Sequence, residues 1–235
     1  LTMKYLSSIS AQYKYLLFVC VYIGGYIGAR IISIIFEERF VSDILSFIIH
    51  IFTIGPMTLY GGIIGGVGSG ILFVIITRGS IKKISDFAFL SLLLGISIGR
   101  IGCFLNGCDY GIVISEHIDS APWWTLKFPN LEHYRLPIQL IESASAFILF
   151  LIGLFLLKHY YYRLHKGTLA IFCINSYALT RFVLEYFRDD DDRGWIIQNT
   201  LSISQFISII IILISVIIIL IYFTNYKTPH ALSTK

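Results

Sequence analysis

Six long apolar stretches constrain the fold of this chain more than any other feature of its sequence. They cover approximately residues 15–36, 56–77, 85–105, 137–157, 167–187 and 201–223. A helix needs about 20 apolar residues to cross the hydrocarbon core of a bilayer, and each stretch has about that length. The sequence therefore predicts an all-α fold, a polytopic bundle of about six to seven membrane-spanning helices.

Composition supports a single transmembrane domain over residues 1–235. Apolar residues make up 56% of the chain and charged residues only 14%, whereas soluble domains carry about 25% charged residues. The net charge of +4 is not gathered into a dense basic stripe, so we expect no nucleic-acid partner. Basic residues beside membrane spans indicate topology instead.

The basic residues of the short loops predict that both termini are cytoplasmic. If Lys4 and Lys14 face the cytoplasm, alternation of the spans places the other loop lysines and arginines on the same side: Arg78, Lys82, Lys83, Lys158, Arg163, Lys166, Lys227 and Lys235. The acidic residues then face outward, with Asp86 as the exception. A shorter apolar piece, 41–55, is expected to be a re-entrant or interfacial helix.

The largest predicted extramembrane segment is an outer loop at about 106–136. It contains four aromatic residues, Trp123, Trp124, Phe128 and Tyr134, of the kind that is enriched at the headgroup zone of a bilayer. They either anchor the loop at the membrane surface or cap a lipid-facing cavity, and the sequence leaves both interpretations open.

Charged residues inside the apolar stretches are the strongest functional signal in the chain: Arg30, Arg100, Glu142, Arg181, Glu185 and Arg188. A charge in a membrane span is costly unless it is paired or hydrated, so each is a candidate functional residue. Arg181 and Glu185 are four residues apart on one helix face and can pair. Arg188 lies near the end of its span, where its side chain can extend to the interface.

Arg100 and Arg30 have no acidic residue at helical spacing in their own spans. The guanidinium group matches the oxygens of a phosphate through paired hydrogen bonds, and phospholipid headgroups supply phosphate at the membrane surface. We therefore expect Arg100, Arg181 and Arg30 to bind a lipid phosphate.

Glycines accompany these arginines in two patterns. The segment YGGIIGGVGSG, residues 60–70, predicts close helix packing that accounts for Gly66, Gly68 and Gly70. The segment GRIGCFLNGCDYG, residues 99–111, crosses from an apolar span into the outer loop, where glycines let the backbone approach a headgroup. Cys103 and Cys108 within it do not have a metal-binding spacing, and we expect no metal and no cofactor.

The segment GRIGCFLNGCDYG resembles the signature GRxGNFxNGExxG of the prolipoprotein diacylglyceryl transferase family. Five further segments resemble family motifs in the same order along approximately residues 23–220. GARIISIIF resembles GGRLGYVLF, LYGGIIG resembles HGGLIG, and RLPIQLIES resembles RHPSQLYE. YALTRFVLEYFR resembles YGxFRxxxEFFR, and LSISQFISI resembles the final MGQxLSI span.

This resemblance implies a transferase that moves the diacylglyceryl group of phosphatidylglycerol to the thiol of a lipobox cysteine in a prolipoprotein signal peptide, releasing glycerol phosphate. It implies a bacterial cytoplasmic (inner) membrane location with the active site toward the outer leaflet. The implied catalytic residues are Arg100, Arg181, Tyr60 and Tyr177. The implied substrate-binding residues are Arg30, Gly61, Gly62, Cys103, Asn106, Cys108, Gly111, Gln139 and Glu142, with Gln205 as a further polar position of the cavity.

Three positions depart from the family pattern. Tyr60 stands where the family has a histidine, Cys103 where it has the signature asparagine, and Cys108 where it has the signature glutamate. A tyrosine, with a pKa of about 10, is a poor base at neutral pH. Two alternatives therefore stay open, namely a related phospholipid-dependent transferase with another acceptor and a non-catalytic lipid-binding or transport protein.

Overall fold

The computed structural model describes residues 10–36, 43–53, 59–128, 131–160, 163–190, 194–198 and 200–227. Within these ranges the chain forms seven α-helices: α1 (Ala11–Phe36), α2 (Ile44–Phe52), α3 (Leu59–Ile76), α4 (Ile81–Asn106), α5 (Ile138–Tyr160), α6 (Thr168–Leu184) and α7 (Ile203–Lys227). The predicted helical fold is confirmed, but the connections also contain five short strands.

Four of the described helices are long and apolar enough to cross a membrane. They are α1, α4, α5 and α7, over Ala11–Ile35, Ile84–Asn106, Ile138–Tyr160 and Ile203–Ile221. The other two predicted spans coincide with α3 and α6, which have 18 and 17 residues. The chain is therefore a multi-pass membrane protein with four clear spans among the described residues.

The predicted short apolar piece contains α2, which has nine residues. At about 1.5 Å per residue such a helix is far shorter than the hydrocarbon core of a bilayer. The ends of the predicted piece, residues 41–42 and 54–55, lie outside the described part of the chain.

Residues 1–84 form one compact unit, in which α1 and α3 pack through their glycines. A Cβ on Gly28 would overlap the carbonyl oxygen of Gly61, and a Cβ on Gly65 would overlap the carbonyl oxygen of Gly24. Only residues without a side chain allow two helix backbones to approach so closely. The close packing predicted for the glycine-rich segment thus exists.

Of the three glycines expected to pack, Gly66 and Gly70 lie against α1 and Gly68 does not; a Cβ on Gly70 would lie 3.0 Å from Cγ2 of Val21. A Cβ on Gly68 would meet nothing within 4 Å, and one on Gly66 would lie in ordinary contact, 3.5 Å from the carbonyl oxygen of Val21. The prediction was wrong for Gly68, because the face of α3 that contacts α1 is set by Gly61 and Gly65.

Residues 85–235 form the second compact unit. Its apolar core joins α4, α5 and α6 through Leu90, Leu93, Leu157, Leu169 and Cys173. The carboxylate of Asp86 is buried beside this core and accepts hydrogen bonds from the backbone N–H groups of Gly167 (3.0 Å) and Ala170 (2.9 Å). Asp86 therefore accepts hydrogen bonds from backbone N–H groups at the start of α6 that have no partner within the helix, and its negative charge also complements the helix dipole.

The loop between α4 and α5 folds into a small antiparallel sheet. Strand β1 (Val113–Ser115) and strand β2 (Leu126–Lys127) both pair with β3 (Tyr134–Arg135). Phe128 is buried against Phe104 of α4, with ring centroids 5.8 Å apart, whereas Trp123 is 94% exposed. Phe128 therefore fixes the loop to the end of α4.

A second set of backbone contacts joins the start of this loop to the chain that follows α6. Gly111 forms a β-bridge with Arg188, and Ile112 N–H donates to the Phe187 carbonyl oxygen at 3.0 Å. A Cβ on Gly111 would lie 2.5 Å from the Leu136 carbonyl oxygen, so only glycine allows the two backbones to approach this closely. Strand β4 (Trp195–Ile197) then pairs with β5 (Leu201–Ser202) just before α7.

Substituting Gly65 tests the packing of the first unit. We expect Gly65→Ala to destabilise the protein by about 1–3 kcal/mol, since the added methyl group forces two backbones apart. Gly68→Ala is the matched control on the same helix and should not lower stability, because its methyl group meets no neighbouring atom and alanine favours the helix over glycine. The midpoint of thermal unfolding in detergent measures both variants, and equal midpoints would contradict the packing described.

Candidate functional site

Three helices of the second unit bring their polar side chains to one carboxylate. Glu142 of α5 is 1% exposed. Its Oε2 lies 3.0 Å from Nε of Arg100 on α4 and 2.8 Å from Nη1 of Arg181 on α6, and Tyr177 donates its hydroxyl to Oε1 at 2.6 Å. The structure thus brings together four of the residues that the sequence singled out.

Arg181 is bonded on its second terminal nitrogen as well. Nη2 lies 2.8 Å from Oε2 of Glu185, the i,i+4 partner expected from the sequence, and donates to the hydroxyl of Ser204 in α7 at 3.3 Å. Arg181 is 8% exposed, so its charge is neutralised inside the bundle. Together with Glu142 it links α5, α6 and α7.

Arg100 also contacts Asp109, a residue that the sequence reasoning missed. Its Nη1 lies 2.6 Å from Oδ2 of Asp109, whose Oδ1 lies 2.8 Å from Nη2 of Arg188. Asp109 has a φ of 56°, in the left-handed region that non-glycine residues rarely adopt. It follows Arg100 by nine residues and lies beyond the helix, so no helical spacing connects the two in the sequence.

The charge of Asp109 is stabilised by these arginines. Burial alone would raise the pKa of its carboxyl, but the guanidinium groups of Arg188 and Arg100 hold that pKa below its usual value. Asp109 is therefore a carboxylate at neutral pH and forms charge-assisted hydrogen bonds on both oxygens.

Arg188, whose position near the end of its span would allow it to extend to the interface, is buried among carboxylates in the structure. Its side chain is only 9% exposed, and it binds Asp190 through two hydrogen bonds, Nε to Oδ1 at 2.7 Å and Nη2 to Oδ2 at 2.6 Å. The β-bridge to Gly111 holds Arg188 beside the loop between α4 and α5, and its guanidinium lies 2.8 Å from Oδ1 of Asp109.

The two signature cysteines lie next to this ion pair. The Cys103 sulfur lies 3.9 Å from Nη1 of Arg100, which also binds Asp109. Sulfur atoms of Cys103 and Cys108 and a carboxylate oxygen of Asp109 all lie within 4.8 Å of one another. These atoms are possible metal ligands, but two guanidinium groups already bind both oxygens of Asp109 and would repel a cation there.

Other predicted residues support the surrounding backbone. Gln139 is 1% exposed and donates to the carbonyl oxygen of Cys108 at 2.6 Å, which fixes the turn that carries Asp109. Gln205 is buried at the start of α7, where Oε1 accepts from Ser202 N–H at 3.1 Å. Asn106 is exposed at the end of α4.

The remaining predicted residues belong to the first unit. Arg30 is 1% exposed and donates to the carbonyl oxygen of His50 from Nε (3.2 Å) and Nη2 (2.6 Å), so it caps the C-terminal end of α2. Gly61 lies against the backbone of Gly28, and a Cβ on Gly62 would lie 3.7 Å from Cβ of Ala29. The backbone of Tyr60 belongs to α3, and its side chain lies outside the described atoms.

Removing the shared carboxylate tests how far the site depends on it. We expect Glu142→Ala to destabilise the protein by about 3–5 kcal/mol, because two guanidinium groups then face each other without their common anion. The control is Asp189→Ala, since Asp189 pairs with Arg135 at 2.8 Å but is 54% exposed and such pairs contribute about 1 kcal/mol or less. Equal losses of unfolding free energy would contradict the central role of Glu142.

Comparison with known proteins identifies the family of this chain. The sequence profile of the family described as prolipoprotein diacylglyceryl transferase matches residues 3–221. Phosphatidylglycerol–prolipoprotein diacylglyceryl transferase 2 of Clostridium perfringens is 34% identical over 194 residues, which cover 81% of this chain and 72% of that protein. The phosphatidylglycerol–prolipoprotein diacylglyceryl transferase of Streptococcus mutans is 30% identical, covering 87% of this chain and 76% of that protein.

A third relative, the phosphatidylglycerol–prolipoprotein diacylglyceryl transferase of Clostridium botulinum strain 657, is 31% identical and covers 86% of this chain and 79% of its own length. Each of these relatives matches more than four-fifths of this chain, and the family profile covers nearly all of it. The chain belongs to the prolipoprotein diacylglyceryl transferase family.

Proposed function

We propose that this protein transfers the diacylglyceryl group of phosphatidylglycerol to the thiol of a lipobox cysteine in a prolipoprotein, with release of glycerol phosphate. The observation that carries the proposal is the convergence of Arg100 and Arg181, from two different helices, on one anion position at Glu142. The names of the relatives give phosphatidylglycerol as the donor and a prolipoprotein as the acceptor.

The reaction is a substitution at a glycerol carbon. The thiol sulfur forms a bond to that carbon while the bond between the carbon and the phosphate oxygen breaks, and the electron pair leaves with glycerol phosphate. Negative charge therefore grows on the phosphate in the transition state, where fixed guanidinium groups stabilise it most effectively. The proton of the thiol must pass to a base.

Arg100 is the group best suited to the departing phosphate. Its side chain is 17% exposed, and two of its three nitrogens bind Glu142 and Asp109. Its Nη2 makes no hydrogen bond within the described part of the chain. A guanidinium group carries five N–H donors, so Arg100 can donate to a phosphate oxygen while its Nε stays bonded to Glu142.

We assign the other predicted residues to roles in the same reaction. In the second unit, Arg181 stabilises charge, and Tyr177 holds Glu142, the carboxylate that it shares with Arg181, in place. In the first unit, Tyr60 takes the position of the family's histidine. We assign substrate binding in the first unit to Arg30, Gly61 and Gly62, and in the second unit to Cys103, Asn106, Cys108, Gly111 and Gln139.

We further propose that α3 and α6 also cross the membrane, which gives six spans. Helices of 18 and 17 residues extend about 27 and 26 Å at 1.5 Å per residue, close to the hydrocarbon thickness of about 30 Å. With the basic loops inside, both termini are cytoplasmic and the loop at about 106–136 faces the outer leaflet of a bacterial cytoplasmic membrane.

The direct test is incubation of the purified protein with phosphatidylglycerol and a lipobox peptide. We expect release of glycerol phosphate together with an increase in peptide mass equal to one diacylglyceryl group. Release of glycerol phosphate without peptide modification would indicate another acceptor. This alternative is considered because Cys103 and Cys108 stand where the family has an asparagine and a glutamate. Absence of release would contradict the enzymatic proposal.

Alanine substitutions at the two convergent arginines test the role of the cationic centre. Arg100→Ala or Arg181→Ala should lower kcat by about 10²- to 10³-fold or more, the usual effect of removing one fixed donor from a developing anion. Both proteins should still be detectable in the membrane. The control is Arg163→Ala, at an exposed arginine between α5 and α6. Full activity of either variant would contradict the proposal that these arginines stabilise the charge on the departing phosphate.

Conservative changes at the divergent positions test whether they act in the chemistry. If Tyr60 or Cys103 takes part, Tyr60→Phe and Cys103→Ser should each lower the rate at saturating lipid. The first change removes a hydroxyl group, and the second replaces a thiol by a hydroxyl that is far less acidic and less nucleophilic. The rate of peptide modification is the measurement. Rates equal to those of the unmodified protein would leave both residues with packing roles.

A further inference from the structure

The ionic cluster of the second unit contains more negative than positive groups. Among the described residues three guanidinium groups, those of Arg100, Arg181 and Arg188, face four carboxylates: Asp109, Glu142, Glu185 and Asp190. The neighbouring pair of Arg135 and Asp189 adds one charge of each sign. A phosphate added to this cluster meets repulsion unless one carboxylate gives way.

Asp109 is the carboxylate best able to leave. Its side chain is 26% exposed, whereas those of Glu142, Glu185 and Asp190 are 2%, 1% and 6% exposed. When it leaves the arginines, the Asp109 carboxylate therefore regains contact with water more easily than the other three carboxylates do. The backbone at Asp109 is also in the left-handed region, which is less favourable for a residue with a Cβ.

The other three carboxylates are fixed by their surroundings. Glu142 accepts hydrogen bonds from Tyr177 and Arg181 deep between helices. Glu185 is nearly inaccessible one turn after Arg181. Asp190 binds Arg188 through both of its oxygens. Asp109 is instead held by single bonds to two different arginines.

The position of the Asp109 carboxylate has the geometry of a phosphate subsite. Its two oxygens lie 2.6 Å from Nη1 of Arg100 and 2.8 Å from Nη2 of Arg188, so one small anion bridges two guanidinium groups. A phosphate presents oxygens that accept hydrogen bonds from guanidinium groups at similar distances. The phosphodiester of phosphatidylglycerol carries one negative charge, as a carboxylate does, so this exchange leaves the net charge of the cluster unchanged.

We infer that the Asp109 carboxylate and the phosphate of the lipid are alternative occupants of one anion subsite between Arg100 and Arg188. The inference rests on the proposed function and deepens it, since it names the atoms that receive the headgroup. It makes Arg188 a binding residue, which the sequence did not predict. Arg181 then stabilises the subsite through Glu142 rather than by direct contact with the phosphate.

The test measures binding of glycerol phosphate, the soluble phosphate monoester, to the purified full-length protein in detergent by calorimetry. Asp109→Asn removes the competing charge and keeps the side-chain size, so we expect the Kd to fall by about tenfold, the effect of one nearby charge. Arg188→Gln should raise the Kd by about tenfold. Asp189→Asn, at an exposed pair on the same segment, is the matched control and should leave the Kd unchanged.

A second substitution at the same position keeps the test decisive if Asp109→Asn does not fold. Asp109→Gly also removes the carboxylate, and glycine adopts the left-handed backbone without strain, so its Kd should fall as well. An unchanged or higher Kd in the folded Asp109 variants would overturn the inference and leave Asp109 as a positioning residue for Arg100. An unchanged Kd in Arg188→Gln would overturn it too.

Lipid substrates distinguish the headgroup from free phosphate. With vesicles of phosphatidylglycerol the KM for lipid should fall in Asp109→Asn, whereas binding to zwitterionic phosphatidylcholine vesicles should not change. A lower Kd for glycerol phosphate without any effect on vesicles would restrict the subsite to free phosphate and contradict its role for the lipid. If the Kd values shift as expected but no peptide is ever modified, the subsite stands and the proposed transfer reaction fails.

Discussion

The Glu142 carboxylate is the interaction on which the organisation of the second unit depends. One of its oxygens lies within 3.0 Å of guanidinium nitrogens from two helices, and the other accepts the hydroxyl of Tyr177. Two cations buried among apolar helices would repel each other strongly without this common anion. Because Arg100 lies on α4, Glu142 on α5 and both Tyr177 and Arg181 on α6, the same contacts that neutralise the charges also fix the relative positions of these three helices.

A second constraint comes from the backbone rather than from charge. The segment after α4 pairs with the segment after α6 through Gly111 and Arg188, two residues that are 77 positions apart in the chain. This pairing places Asp109 between the guanidinium groups of Arg100 and Arg188. In this chain the segment that resembles the family signature is the end of α4 followed by a turn that brings Asp109 into the charged cluster, and Gln139 holds that turn through the carbonyl oxygen of Cys108.

The sequence predicted the helical fold and much of the cluster because both leave local signals. Long apolar runs reveal membrane helices, an arginine inside such a run requires an anion, and Arg181 has its partner Glu185 at helical spacing. Contacts between distant segments leave no such signal. Asp109 was missed because its contacts depend on a left-handed turn, and the partners of Arg188 were not predicted because a β-bridge, not the helix end, sets its position.

The central claim is that the guanidinium of Arg100 holds the phosphate of phosphatidylglycerol while the bond between its glycerol carbon and phosphate is broken. An experimental structure of the protein with phosphatidylglycerol bound tests this most directly. We predict phosphate oxygens within hydrogen-bonding distance of Arg100, about 2.9 Å, with Arg181 still bonded to Glu142. A headgroup phosphate located away from Arg100, with this residue bonded only to Glu142 and Asp109, would contradict the account.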